Sequence, residues 1–294
     1  MRHVSNWMFS AALVLGACMG GADDGTDDIE PTGQGSTVAG EQGLDQPVAA
    51  RPNRRSLIKY HGGPVMTAGP NIHYIWYGNW SSTDKTILGS LASGLGGSSY
   101  FNINTTYYDG SGAHIANHVG TSADASDNYS HGTSLSDAAI LAIVQAQNPT
   151  DTNGVYFVMT SSDVNETSGF CTQYCGWHTH ASIGGRDIKY AFVGNPARCP
   201  SACTNGTTPP NGSVGADGAA SIIAHELEEA ATDPDLNAWY DGSGAENADK
   251  CAWTFGSTYT ASNGGTANMS LGGRDFLIQQ NWVNSGNGFC AKSF

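Results

Sequence analysis

The hydrophobic pattern falls into a few well-spaced blocks. Ile72-His73-Tyr74-Ile75-Trp76-Tyr77 is a β-branched and aromatic run between Pro70 and Gly78, which predicts a strand. Ser82 is placed to cap the next helix, with Ile87, Leu88, Leu91 and Leu95 as its apolar stripe. Tyr100–Gly112 predicts a strand or extended loop closing in an Asp-Gly turn, and His114–Val119 another strand. A second helix is capped by Ser134 with Asp137 at its third position. It turns Leu135, Ala139, Ile140, Ile143 and Val144 to the core and is closed by Pro149. Gly154–Thr160 and Ile188–Val193 predict buried strands. A third helix runs from about Asp217 to Thr232, with Ile223 and Leu227 marking its buried side. Pro234 biases Asp233 away from helix and ends it. Phe276–Gln279 and Trp282 predict a late strand. Strands alternating with helices argue for an α/β fold, a mixed sheet with packed helices, loop-rich and disulfide-bonded.

The two ends of the chain differ in character. Residues 1–18 carry Arg2, an apolar run from Trp7 to Leu15, and then Leu15-Gly16-Ala17-Cys18. This is the pattern of a signal peptide, too short to span a membrane, and it resembles a bacterial lipobox with Cys18 as the lipidated residue. An ordinary secretory signal cleaved nearby is the other reading. Residues 19–55 have almost no large apolar side chains and many acids, so they predict a flexible acidic tether. Residues 56–294 make the globular domain. The expected location is extracytoplasmic, lipid-anchored at the outer membrane or cell surface, or else secreted.

Composition narrows the function classes. The net charge is −14, and the only basic run is RPNRRSLIK at 51–59, so nucleic acid is not an expected partner. Of seven cysteines, six remain once Cys18 is set aside: Cys171, Cys175, Cys199, Cys203, Cys251 and Cys290. An even count in an exported chain predicts disulfides. Cys251 is expected to pair with Cys290 and the other four among themselves, in one of three ways.

The candidate chemistry centres on the third helix and the acidic segment C-terminal to it. His225 and Glu229 are one turn apart on one helix face and can share a divalent ion, with Glu226 beside the first ligand where a general base would sit. The segment resembles zincin metallopeptidases whose third ligand is a downstream glutamate followed by an aspartate that orients the first histidine, and the resemblance implies Glu246 as that third ligand and Asp249 as the group hydrogen-bonding His225. The local motif is HExxE. It is similar to the HExxH helix of zincin metallopeptidases, with Glu229 in place of the second histidine. One imidazole and two carboxylates are a hard ligand set, so Ca²⁺ or Mn²⁺ stands beside zinc as a candidate. The bland alternative is a packed His225 with a solvated acidic face. His178 and His180, two apart, share one face if they lie on a strand and are possible additional ligands; His178 can equally support the cysteine-rich loop. Asp233 and Asp241 are turn residues first and calcium ligands second. There is no G-x-S-x-G nucleophile elbow.

With these segments in view, the chain resembles the exordium, or phosphate-induced protein 1, family. The resemblance is carried by HGGPVMTAGPNIHYIWYGNW, YFNINTTYYDGSG, CGWHTH, YAFVGNPARCPSAC, AHELEEAATDPDLNAWYDGSGAENADKC and RDFLIQQNW, from Tyr60 to Cys290. It implies a secreted, extracytoplasmic protein and brings no established activity. Two functions stand as expectations: a tethered metal-dependent peptidase or hydrolase, or a non-catalytic protein that binds peptide, protein or cell-envelope glycan, with a structural ion or none.

Overall fold

The structure is a computed structural model and describes residues 57–294. Cys18, the signal segment and the acidic tether lie outside the described residues. No helix among the described residues is long and apolar enough to cross a membrane.

The fold is a mixed α/β one, built on a six-stranded sheet. Asn71–Tyr77 (β1) lies second from one edge. Along one side of it run Gly120–Thr121 (β2) and Ala125–Asp127 (β3), both parallel to it. On its other side Gly154–Thr160 (β4) is parallel to β1, and Arg186–Val193 (β6) is parallel to β4. Gly176–Ile183 (β5) closes that edge, antiparallel to β6 with His178 opposite Ala191. The strand β4, GVYFVMT, is buried along its whole length, which matches its continuous apolar run. Helix α1, Ser82–Leu95, buries Ile87, Leu88, Leu91 and Leu95 as its stripe predicts, but its cap is Ser81, whose side chain accepts from the Asp84 N–H. Helix α2, Asp137–Ala146, is capped by Ser136. Ser134-Leu135 instead pairs with Asn165-Glu166 as a short parallel ladder. The cap thus falls one residue earlier in α1 and two later in α2, because Ser runs offer several equivalent oxygens.

Where a strand or extended loop is expected at 100–112 and a strand at 114–119, the chain does otherwise. Phe101–Thr106 is a 3₁₀ helix, and His114 makes only an isolated bridge to Tyr108. Asn and Thr in YFNINTTYY satisfy their own turn, Thr105 and Thr106 donating to the carbonyls of Asn102 and Ile103. The late strand is two short ones, Arg274–Phe276 and Asn281–Val283, each in its own two-stranded ladder.

Pro200–Cys203 (α3) is a single helical turn. Val214–Thr232 (α4) is the central helix, and it packs against α1, β5 and β6. The expectation of one buried side marked by Ile223 and Leu227 is too narrow, since α4 is buried on nearly every face from Gly215 to Thr232. The small residues Ala219, Ala220, Ala224, Ala230 and Ala231 permit this, since they let neighbouring backbones close in all round. Its charged side chains are therefore buried as well.

Three disulfides fix the segments around α4: Cys171–Cys199, Cys175–Cys203 and Cys251–Cys290. The first two tie the entry of β5 to the exit of β6. Such bonds persist in an oxidising, extracytoplasmic compartment.

Candidate metal centre

Helix α4 ends as its sequence dictates. Asp233 is the C-cap, and its Oδ1 accepts the N–H groups of Asn237 and Ala238, so it is a turn residue. Asp241 has the same role, accepting from Ser243 and Ala245, while its second oxygen takes the Lys250 ammonium at 2.7 Å. These two turns fold the 233–251 segment back against α4, and the Cys251–Cys290 bond anchors its far end. Glu246 and Asp249 are delivered to the helix face that carries His225 and Glu229.

The side chains meet in two overlapping groups. His225 Nε2 lies 2.9 Å from Glu229 Oε1 and 3.5 Å from Asp249 Oδ1. His178 Nε2, from β5, lies 3.2 Å from Glu246 Oε2 and 3.9 Å from Glu229 Oε2. Each group places three ligand atoms within 4.8 Å of one another, and Glu229 belongs to both. Glu246 thus faces His178, and Asp249 approaches the same nitrogen of His225 as Glu229 does. An orienting partner would sit at Nδ1; Asp249 instead lies 3.5 Å from Nε2. His178 brings a second imidazole into the cluster. Sequence spacing alone could not choose it, because it reaches the site across the sheet–helix interface.

Gly176 makes that approach possible. A Cβ there would stand 2.6 Å from Ile222 Cγ2, 2.8 Å from the Phe192 carbonyl and 3.1 Å from Glu226 Oε1. Only glycine lets β5 pass this close to α4.

The electrostatics of the cluster are unbalanced. Glu226, Glu229 and Glu246 are all buried. Burial, reinforced by the charge of Asp249, pushes Glu229 up to about 7. Glu246 is raised well above the usual range by burial and then by Glu229. Glu226 is raised by burial above all. His178 is driven down to about 3 by burial and by the neighbouring His225, so it is neutral and able to ligate. Burial pulls His225 down too, but Glu229 and Asp249 outweigh it and hold it well above its ordinary value. Buried polar atoms without a hydrogen-bond partner include Glu229 Oε2, Glu246 Oε1 and both oxygens of Glu226. Such atoms each carry a desolvation cost.

Access is narrow. A cavity of about 90 Å³ touches Glu246, between Asp233, Leu236 and Tyr240. Glu226 itself has no solvent exposure. A larger, mostly apolar cavity of about 240 Å³, with Trp253 and Phe255 in its wall, reaches α4 at Ser221 and Ile222, one turn before His225. His180 takes no part in the centre. It sits two residues along β5 beside Asp187 and Asp235, at 2.8 and 3.6 Å, and Lys189 Nζ already lies 2.6 Å from Asp187.

Comparison with known proteins places this architecture. Residues 58–279 match the phosphate-induced protein 1 conserved region. The chain is 34% identical to Protein EXORDIUM-like 3 of Arabidopsis thaliana, over 76% of this chain and 80% of that protein. It is 33% identical to Protein EXORDIUM-like 5 of the same plant, over 76% and 75%. It is 27% identical to Protein PHOSPHATE-INDUCED 1 of Nicotiana tabacum, over 63% and 68%. No solved structure matches. The match over most of the folded chain makes the assignment plain: this protein belongs to the phosphate-induced protein 1 family of exordium-like proteins.

Proposed function

We propose that this is an extracytoplasmic protein organised around a divalent-metal centre held by His178, His225, Glu229, Glu246 and Asp249. One observation carries the reading. Two imidazoles and three carboxylates form two triads joined at Glu229, each with its ligand atoms within 4.8 Å of one another, mostly buried, with carboxylate oxygens that no hydrogen bond satisfies. A divalent cation offsets that repulsion and that desolvation together. Two imidazoles with carboxylates suit zinc; Mn²⁺ and Ca²⁺ are the alternatives, favoured in turn by each further oxygen.

The enclosure of the site favours a metal that holds the fold of a binding protein over one that turns over large substrates. The wall formed by Trp253 and Phe255 suits a peptide, protein or cell-envelope glycan as the partner. A lipid at Cys18 would keep the domain at the membrane surface.

A hydrolase is the second reading, and Glu226 is what favours it. Both its oxygens are unpartnered, it adjoins His225 in sequence, and its Oε1 points toward Gly176. Bound zinc supplies Lewis-acid polarisation of a carbonyl and of water. Glu226 would accept the proton of the attacking water and return it to the leaving amine. The test is metal analysis paired with a peptide-library digest of the wild type and Glu226→Gln. Metal retained with cleavage lost identifies a hydrolase. Metal in both with cleavage in neither leaves the binding protein. A folded wild type that takes up no ion ends both readings.

A further inference from the structure

A second constellation lies on the other side of the sheet's centre and shares no residue with the metal centre. Ser122 Oγ is 2.7 Å from His73 Nδ1, and His73 Nε2 is 2.8 Å from Asp151 Oδ2. The three come from separate places: His73 from β1, Ser122 from the residue after β2, Asp151 from the turn before β4. Parallel pairing of β1 with β4, with His73 opposite Tyr156, brings them together.

The hydrogen bonds fix the roles. Asp151 Oδ2 also accepts from Asn71 Nδ2 at 2.8 Å, and Oδ1 from the Asn153 N–H at 2.9 Å. Burial pushes the Asp151 carboxyl up, but these bonds and that from His73 outweigh it and hold it below its ordinary value. It is therefore an acceptor only, so His73 carries its proton on Nε2 and presents a lone pair at Nδ1. The Ser122 hydroxyl then donates to Nδ1; its other two acceptors, the Ile72 and Ala123 carbonyls, are farther at 3.3 and 3.5 Å. The ring is held in place by stacking on Tyr156, centroids 4.3 Å apart. Gly154 leaves room for it, since a Cβ there would stand 2.7 Å from His73 Nε2. Ser122 is exposed.

We propose that Ser122, His73 and Asp151 form a metal-independent catalytic centre in which Ser122 is a nucleophile toward carboxylic esters. The order nucleophile, base, orienting carboxylate is that of acyl-transfer triads. The imidazole is used in the opposite sense to the serine proteases, where Nε2 faces the nucleophile. Either nitrogen serves as the base once the other is held protonated. Ser122 Oγ adds to the ester carbonyl carbon as His73 Nδ1 takes its proton. The C–O bond to the alcohol breaks, and the alcohol oxygen takes that proton from Nδ1. Water then adds to the acyl-serine, gives a proton to Nδ1 and releases the acid, and the proton returns to Ser122 Oγ. An ester is the fitting substrate because an alkoxide is a better leaving group than an amide nitrogen, so one exposed base suffices to assist it. Sequence motifs could not reveal this group, because Ser122 stands in GTSAD and not on a nucleophile elbow.

The test uses the full folded chain, a fluorophosphonate probe and 4-nitrophenyl acetate. Mass mapping is expected to find the label on Ser122. Ser122→Ala should abolish it, and His73→Gln and Asp151→Asn should each slow labelling and ester hydrolysis at least tenfold. Chelator should change neither rate, which separates this outcome from the fate of the metal reading. Thermal melts check that each variant is folded. A folded wild type that is not labelled at Ser122, or a His73→Gln chain labelled as fast as wild type, overturns the proposal.

Discussion

Replacing Gly176 by alanine tests how β5 and α4 build the centre. The new methyl would meet Ile222 Cγ2 at 2.6 Å and the Phe192 carbonyl at 2.8 Å. Ordinary contacts begin near 3.4 Å, so about 0.6–0.8 Å must be found between two elements. Ile222 can swing, but the Phe192 carbonyl belongs to the neighbouring strand and cannot. Overpacking of this kind costs roughly 1–3 kcal/mol. For a domain of this size that lowers the thermal midpoint by roughly 3–10 °C. The same displacement carries His178, two residues on, away from Glu229 and Glu246. Circular-dichroism melts with and without added zinc read both effects. The variant should melt lower than wild type in chelator, and zinc should raise its midpoint less than it raises that of wild type. An unchanged melting point, or an undiminished zinc response, refutes the claim that this close passage positions the ligand.

Other perturbations have definite signs. Cys251→Ser with Cys290→Ser opens a loop of 39 residues' separation, and the loop-entropy estimate puts the loss at about 4 kcal/mol, read by urea unfolding; a loss under about 1 kcal/mol contradicts it. Metal affinity should fall as pH drops through about 7, because Glu229 is held there and protons displace the ion. Without metal the sign is reversed. The raised Glu229 contributes stability fully present below about 4.5 and lost as pH rises toward about 7, so stripped protein should be more stable at pH 5 than at pH 8 as far as this group is concerned.

The legible part of the fold was the part with strong local signals. The continuous apolar runs at 72–77 and 154–160 and the stripe of α1 needed no tertiary context. Pro234 marked the end of α4, and the count of exported cysteines anticipated the disulfides, including Cys251 with Cys290. The reading failed where long-range packing decides. YFNINTTYY has strand-like composition, yet its Asn and Thr side chains favour a 3₁₀ turn. Helix α4 looks amphipathic only if Ile223 and Leu227 are weighed alone; its alanines allow burial on all sides, and the acids go in with them. In the site, His225, Glu229, Glu246 and Asp249 were visible as a spaced motif because one helix and one return segment carry them. His178 was visible only as one of two histidines that would share a face if they lay on a strand, since spacing says nothing of what lies across a sheet–helix interface. His180, equal to it in sequence terms, sits beyond the end of α4 beside Asp187 and Lys189. The Ser122–His73–Asp151 group left no sequence trace, because its members come from three segments joined only by parallel strand pairing.

The most direct test of the central claim is calorimetric titration of chelator-stripped, folded protein with zinc, alongside the Glu229→Gln and His178→Ala variants. The account predicts one ion per chain for wild type, with binding lost in Glu229→Gln, which serves both ligand groups, and weakened at least tenfold in His178→Ala. A folded wild type that binds no zinc, manganese or calcium, or a Glu229→Gln chain that binds as tightly as wild type, would contradict it.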